Sequence, residues 1–174
     1  MATQTLLYGS VTAFTLTGAS LAANACREGT IVANSSNLFI DMALSGSITL
    51  GAAASTGDAY ILLSSSDGTT ISSPATGSDA GITITGLGAF LPSLETLQIG
   101  MTVPTTDLVF LMKLSCRGLA AGAVVKFNNI YVAQAFGGNI PIGGWAPVLV
   151  NCTGQALSAS ATLFDYTGLK YTIG

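Results

Sequence analysis

Hydrophobic and polar positions alternate with a period of two along most of this chain. Between 107 and 115, Leu108, Phe110, Met112 and Leu114 fall on one face, and Val109, Leu111, Lys113 and Ser115 on the other. In 97–103, Leu97, Ile99, Met101 and Val103 alternate with Gln98, Gly100 and Thr102. Leu38, Ile40, Met42 and Leu44 alternate with Phe39, Asp41 and Ala43, and Ile82 and Ile84 with Thr83 and Thr85. Near the end, Leu157, Ala159, Ala161 and Leu163 alternate with Ser158, Ser160 and Thr162. Such alternation predicts strands with one face turned inward. No window of helical length places apolar residues at i, i+3, i+4 and i+7, so little helix is expected.

One stretch breaks phase. Val125 and Phe127 share a face, and Ile130 and Val132 share one that is a residue out of step. Asn128-Asn129 between them is expected to be a β-bulge that returns the core face after the slip. Turn residues punctuate the strands. Ser66-Asp67-Gly68-Thr69, after the strand Tyr60–Ser64, is a hairpin signal. Thr56-Gly57-Asp58, Thr76-Gly77-Ser78-Asp79, Pro104-Thr105-Thr106-Asp107 and Thr153-Gly154 are further turns. Short strands broken by frequent turns predict an all-β, single-domain, jelly-roll-like β-sandwich spanning 1–174. Residues 1–16 then serve as an N-terminal arm or edge strand.

Composition changes the picture next. The 174 residues include five basic and eight acidic side chains, a charged fraction of 7%, where roughly 25% is usual. The net charge is −3, no histidine is present, and the mean hydropathy is +0.63. A weakly acidic chain with scattered cations does not match a nucleic-acid backbone. The most apolar window, Gly118 to Phe136, contains Lys126, Asn128, Asn129 and Gln134 and is not a spanning helix. Leu21-Ala22-Ala23-Asn24-Ala25 imitates a cleavage site, but no cation precedes Arg27, so assembly in a cytoplasm is expected rather than secretion.

Catalytic inventories are thin. Without histidine, Ser-His-Asp and Cys-His triads are ruled out. Ser115 stands two residues from Lys113 and only shares a strand face with it. Most of the carboxylates sit in turns, where Asp serves backbone hydrogen bonding. Asp58, Asp67 and Asp79 match no calcium-loop spacing. Gly86-Leu87-Gly88 falls short of a dinucleotide fingerprint. Cys26, Cys116 and Cys152 show no metal spacing and are read as buried free thiols, with one disulfide plus one free thiol as the minority reading. The expectation is therefore no enzyme, no cofactor and no metal.

Five residues are candidates for partner contact. Arg27-Glu28 reads either as a solvated turn with a weak ion pair or as a polar anchor to a partner. Phe136 and Trp145 flank the Gly-rich loop 137–144, whose Ile140, Pro141 and Ile142 predict an ordered loop, packed internally or against a partner.

A monomer of this mass exposes roughly 7,900 Å², more than so few charged side chains can cover. Much of the surface is expected to be buried by copies of the chain or by a large partner.

Several motifs carry a resemblance. They are Gln4-Thr5-Leu6-Leu7-Tyr8-Gly9-Ser10, then Ser20-Leu21-Ala22, Arg27-Glu28 and Asn37-Leu38-Phe39-Ile40-Asp41. Further on come Ser66-Asp67-Gly68-Thr69-Thr70, Ala135-Phe136-Gly137-Gly138-Asn139-Ile140-Pro141, Trp145 and Val148-Leu149-Val150-Asn151. Together they resemble small β-rich structural proteins of tailed bacteriophages. The resemblance implies a non-enzymatic virion protein that decorates or cements the head. Its implied partners are the major capsid protein or another virion protein, and copies of itself, including a trimer. A tail, neck or fibre component is the rival reading. A carbohydrate-binding β-sandwich module is another, disfavoured by the single Trp145 near Pro147.

Overall fold

The structure is a computed structural model and describes residues 4–72, 75–82, 108–160 and 162–173. The expected strand 97–103, residues 83–85, Gly86-Leu87-Gly88, Glu95 and the turn 104–107 lie outside the described residues.

The fold is all-β: two antiparallel sheets packed face to face as a sandwich. Ten strands are described: β1 (Gln4–Ala13), β2 (Ala25–Glu28), β3 (Val32–Ala33), β4 (Asp41–Thr49), β5 (Ala59–Ser66), β6 (Gly81–Ile82), β7 (Leu108–Leu114), β8 (Val124–Tyr131), β9 (Gly144–Asn151) and β10 (Leu163–Ile173). The first sheet runs β1-β10-β4-β8; the second runs β6-β2-β9-β5-β7, with β3 also paired to β9. A 3₁₀ turn, Ala133–Phe136, joins β8 to the loop before β9.

The sheets solve burial differently. β4 turns Met42, Leu44 and Ile48 into the shared core and leaves Ser45, Ser47 and Thr49 half-buried on the other face, the pattern of a one-sided antiparallel sheet. β5 and β9 are apolar on both faces. Ile61, Leu63, Trp145 and Leu149 point into the core. Tyr60, Leu62, Val148 and Val150 form a second cluster with Cys26 on the outer face. β9 carries Pro147, which has no amide to donate. Its carbonyl accepts from Gly29 N at 2.8 Å, in the gap between β2 and β3. The proline thus sits where the neighbouring strand is interrupted and no ladder donor is missed.

The bulge at Asn128-Asn129 is present. Leu44 pairs with Ile130 and Gly46 with Phe127, so β8 carries one extra residue there. Asn129 takes φ +55° and its amide donates to Ser45 Oγ at 3.1 Å.

Three sequence expectations need correction. The strand expected from Leu38 begins instead at Asp41. Asn34 holds the preceding loop closed, accepting from Phe39 N and donating to Phe39 O. Leu38 is therefore left at φ +50° and 68% exposed. The faces of β7 also differ from simple alternation. Ile61 pairs with Met112 and Leu62 with Phe110, which makes Leu111 an extra residue. Leu111 and Leu114 are buried and Phe110 is exposed, because the bulge shifts phase within the strand. Finally, 157–163 is not one strand. Leu157 makes an isolated bridge to Leu50, and β10 starts at Leu163, whose neighbour Phe164 takes the inward face.

The chain turns at Ser66-Asp67-Gly68-Thr69 as expected, with Asp67 Oδ1 accepting from Thr69 N and Thr70 N. The return arm is only a bridge, Ser66 to Ile71, since β5 is already flanked by β9 and β7.

Candidate functional site

The segment from Ile71 to Ala80, described except at 73–74, leads into β6 beside β2, and polar side chains pin it to the second sheet. Ser64 Oγ donates to Ser72 O at 2.8 Å, and Ser65 Oγ and Ser72 Oγ lie 2.8 Å apart. Glu28 holds the centre. Its carboxylate accepts from the amide and hydroxyl of Thr76, from Gly77 N at 3.0 Å, and from the amide and hydroxyl of Ser78 at 3.4 and 3.3 Å. Burial opposes charge on Glu28, but these bonds outweigh it and hold the carboxyl below its usual range. Arg27 on the same strand donates to Asp79 O at 3.0 Å, with its guanidinium 3.9 Å from the Asp79 carboxylate. Asp79 in turn accepts from the amide and hydroxyl of Thr17 at 2.8 and 2.7 Å.

Arg27 and Glu28 are thus consecutive residues of β2 and lie in a strand, not a solvated turn. Strand alternation sends their side chains to opposite faces, so each finds its own partner in the strap. Glu28 is fully buried and Arg27 half-buried.

The other three candidates belong to or pack against the shared core. Trp145 is fully buried, its Nε1–H donating to Met42 Sδ at 3.2 Å across the two sheets. Its ring packs edge-on against Phe14 at 6.0 Å and Tyr166 at 6.5 Å. Ile140 is buried in the same core, and half-buried Phe136 packs against it at the end of the 3₁₀ turn. Asp41 Oδ1 ties that turn to β4 by accepting from Ala133 N at 3.0 Å. The loop 137–144 is half as expected: Ile140 is inside, whereas Ile142 is 80% exposed at the tip. Gly143 fixes the tip. A Cβ there would lie 1.9 Å from backbone atoms of Asp67 and Gly68, so only glycine lets the two loops touch.

The carboxylates expected in turns do not converge. Asp58 and Asp67 flank opposite ends of β5. Asp58 accepts from Cys116 N at 2.8 Å and Arg117 N at 3.0 Å, and Lys113 Nζ lies 3.1 Å from it. Burial opposes its charge, and these donors overcome it, so its carboxyl also lies low. Among the described residues no group of three or more His, Cys, Asp or Glu is placed to hold a metal ion. Cys26, Cys116 and Cys152 are free thiols. Burial pushes Cys26 up to about 12 and Cys116 to about 11. Cys152 rises to about 12 by burial and by the nearness of Cys26.

Two anchors, Asn34 and Asn151, are not among the candidate residues singled out from the sequence. Asn34 and Asn151 are both buried. Asn151 Nδ2 donates to the carbonyls of Leu21, Ala22 and Gln155, and its Oδ1 accepts from Thr153 N and Oγ1. A short polar side chain beside turn residues is the signal that was there to read.

The described surface exposes large apolar side chains among polar ones and a few charges such as Asp67, Arg117, Lys126 and Lys170. Leu6, Leu7, Tyr8 and Val11 are exposed on β1, Leu38, Ile40 and Ile142 on loops, and Leu163 and Tyr171 on β10. Comparison of the chain with protein-family models, curated proteins and solved structures gives no match.

Proposed function

We propose that this protein is a non-enzymatic structural component of a tailed-phage virion, most naturally a decoration or cement protein on the outside of the head. The observation that carries the reading is a charged fraction of 7% combined with large apolar side chains left outside. A surface of that kind suits a permanent assembly, whose interfaces are large and relatively apolar. The resemblance of the N-terminal and C-terminal motifs to phage structural proteins supports the virion, the major capsid protein as partner and a particle-bound location, and the short, turn-broken strands support a jelly-roll-like winding. No step of this reading uses catalysis, a cofactor, nucleic acid or a membrane.

The test is the stoichiometry of the chain against the major capsid protein in purified particles, before and after washing in roughly 1 M salt, where the Debye length is ~3 Å. Decoration predicts a copy number of the order of the shell protein's and retention through the wash, because apolar and hydroxyl-rich contacts are not screened. A handful of copies moves the protein to the tail or neck. Absence from the particles refutes the proposal.

A further inference from the structure

We infer that the segment Gln4–Tyr8 of β1 is a homotypic docking edge, on which a second copy of the chain adds its own Gln4–Tyr8 antiparallel. The inference stands on the edge itself and does not require the virion reading.

β1 is the outermost described strand of the first sheet, bonded on one side to β10. Its pairing runs from Gln4 opposite Ile173 to Ala13 opposite Asp165. β4 supports β10 only between Leu163 and Leu169. Gln4–Leu7 and Lys170–Ile173 therefore project past β4 as a two-stranded ribbon. Such a ribbon is marginally stable by itself in water, and three or more strands are needed for independent stability. It nonetheless exposes large apolar side chains on both faces: Leu6 is 40% exposed, Leu7 41% and Tyr171 56%, with Tyr8 at its base 66%.

The two edges of this sheet are built differently. β8 carries Lys126 and the Asn128-Asn129 bulge, devices that discourage edge pairing. β1 holds neither charge nor proline along Gln4–Ala13. Its one irregularity falls between Tyr8 and Val11, which leaves Gln4–Tyr8 as an uninterrupted template of ordinary strand length.

The occupant follows from charge and symmetry. A two-fold contact brings each patch against itself, so a charged edge would repel its copy. This one is neutral. The register that pairs all five residues sets Leu6 opposite Leu6, Thr5 opposite Leu7 and Gln4 opposite Tyr8. The only ribbon charge, Lys170, sits opposite Leu7 one strand further back. Two copies of it would be separated by three strand spacings, about 14 Å, beyond the ~8 Å Debye length at physiological salt. The union turns two marginal ribbons into one four-stranded sheet.

The full chain should sediment as a dimer. Leu6→Lys places like charges face to face and should weaken dimerisation about a hundredfold, with far-UV circular dichroism unchanged. Leu6→Cys should give a covalent dimer with a short bismaleimide, while the unsubstituted chain and Val124→Cys, on the β8 edge, should not. A chain monomeric at every concentration, a dimer that survives Leu6→Lys, or equal cross-linking through Val124→Cys would overturn the inference. If Leu6→Lys fails to fold, the cross-linking comparison decides. A negative result here leaves the particle stoichiometry test untouched, so the two ideas fail separately.

Discussion

The indole Nε1–H of Trp145 donates to the thioether of Met42 at 3.2 Å, both side chains fully buried and on opposite sheets. A donor sealed in an apolar core needs a partner, and sulfur is a weak one. The contact therefore orients the largest side chain of the core rather than supplying much energy. The rings of Phe14 and Tyr166 complete the setting.

Met42→Leu keeps the volume and removes the acceptor. It should lower stability by about 1–3 kcal/mol, the penalty of an unsatisfied buried donor. Trp145→Phe with Met42→Leu should be less harmful than the sum of the two single changes, because the donor leaves with its acceptor. Urea unfolding of the four proteins of that cycle checks it; strict additivity would contradict the bond.

Acid should loosen the strap pinned to the second sheet. Glu28 and Asp58 both titrate lower folded than unfolded. The stability they contribute is fully present above their unfolded values, about 3.9–4.3, and is lost as pH falls through and below that range. Urea midpoints should stay level from neutrality to about pH 5 and drop below it. Glu28→Gln should flatten part of that drop and, at neutral pH, cost roughly 2 kcal/mol, since an amide turns a donor toward donors. An unchanged acid limb in Glu28→Gln would remove the strap from the explanation.

Gly143→Ala should be disruptive out of proportion to one methyl group. Its Cβ would meet the backbone of Asp67 and Gly68 at 1.9 Å, so two loops must part, at about 1–3 kcal/mol for an overpacked site. Thermal unfolding measures it, with Gly81→Ala as the contrast, where a Cβ would meet only Cys26 O at 3.9 Å. A Gly143→Ala protein as stable as the parent would show the loops to be free of each other.

Thiol chemistry should be slow. Raised thiol pKa values keep the three cysteines protonated at pH 8, and only Cys152 is partly exposed. An aromatic disulfide reagent should react slowly with the native protein, at Cys152 first, and with all three after unfolding. Fast reaction of Cys26 or Cys116 in the folded state would contradict their burial.

The local pattern by itself determined that the chain is β, where many strands lie, that Asn128-Asn129 is a bulge and that Ser66-Asp67-Gly68-Thr69 is a turn. These are matters of period and of backbone preference, which a few neighbouring residues carry. It also shows a chain without histidine. Tertiary structure decided the rest. A period of two cannot say whether one face of a strand is buried or both, so the two-sided burial of β5 and β9 had to come from the packing. It cannot foresee an extra residue such as Leu111, because a phase shift within an all-apolar run leaves no polar mark. Nor can it tell that Glu28 would bind Thr76 of a strap 48 residues on while Arg27 beside it takes Asp79 of the same strap. Both are charged neighbours in the sequence. Only the sheet, by turning successive side chains to opposite faces, gives them separate tasks.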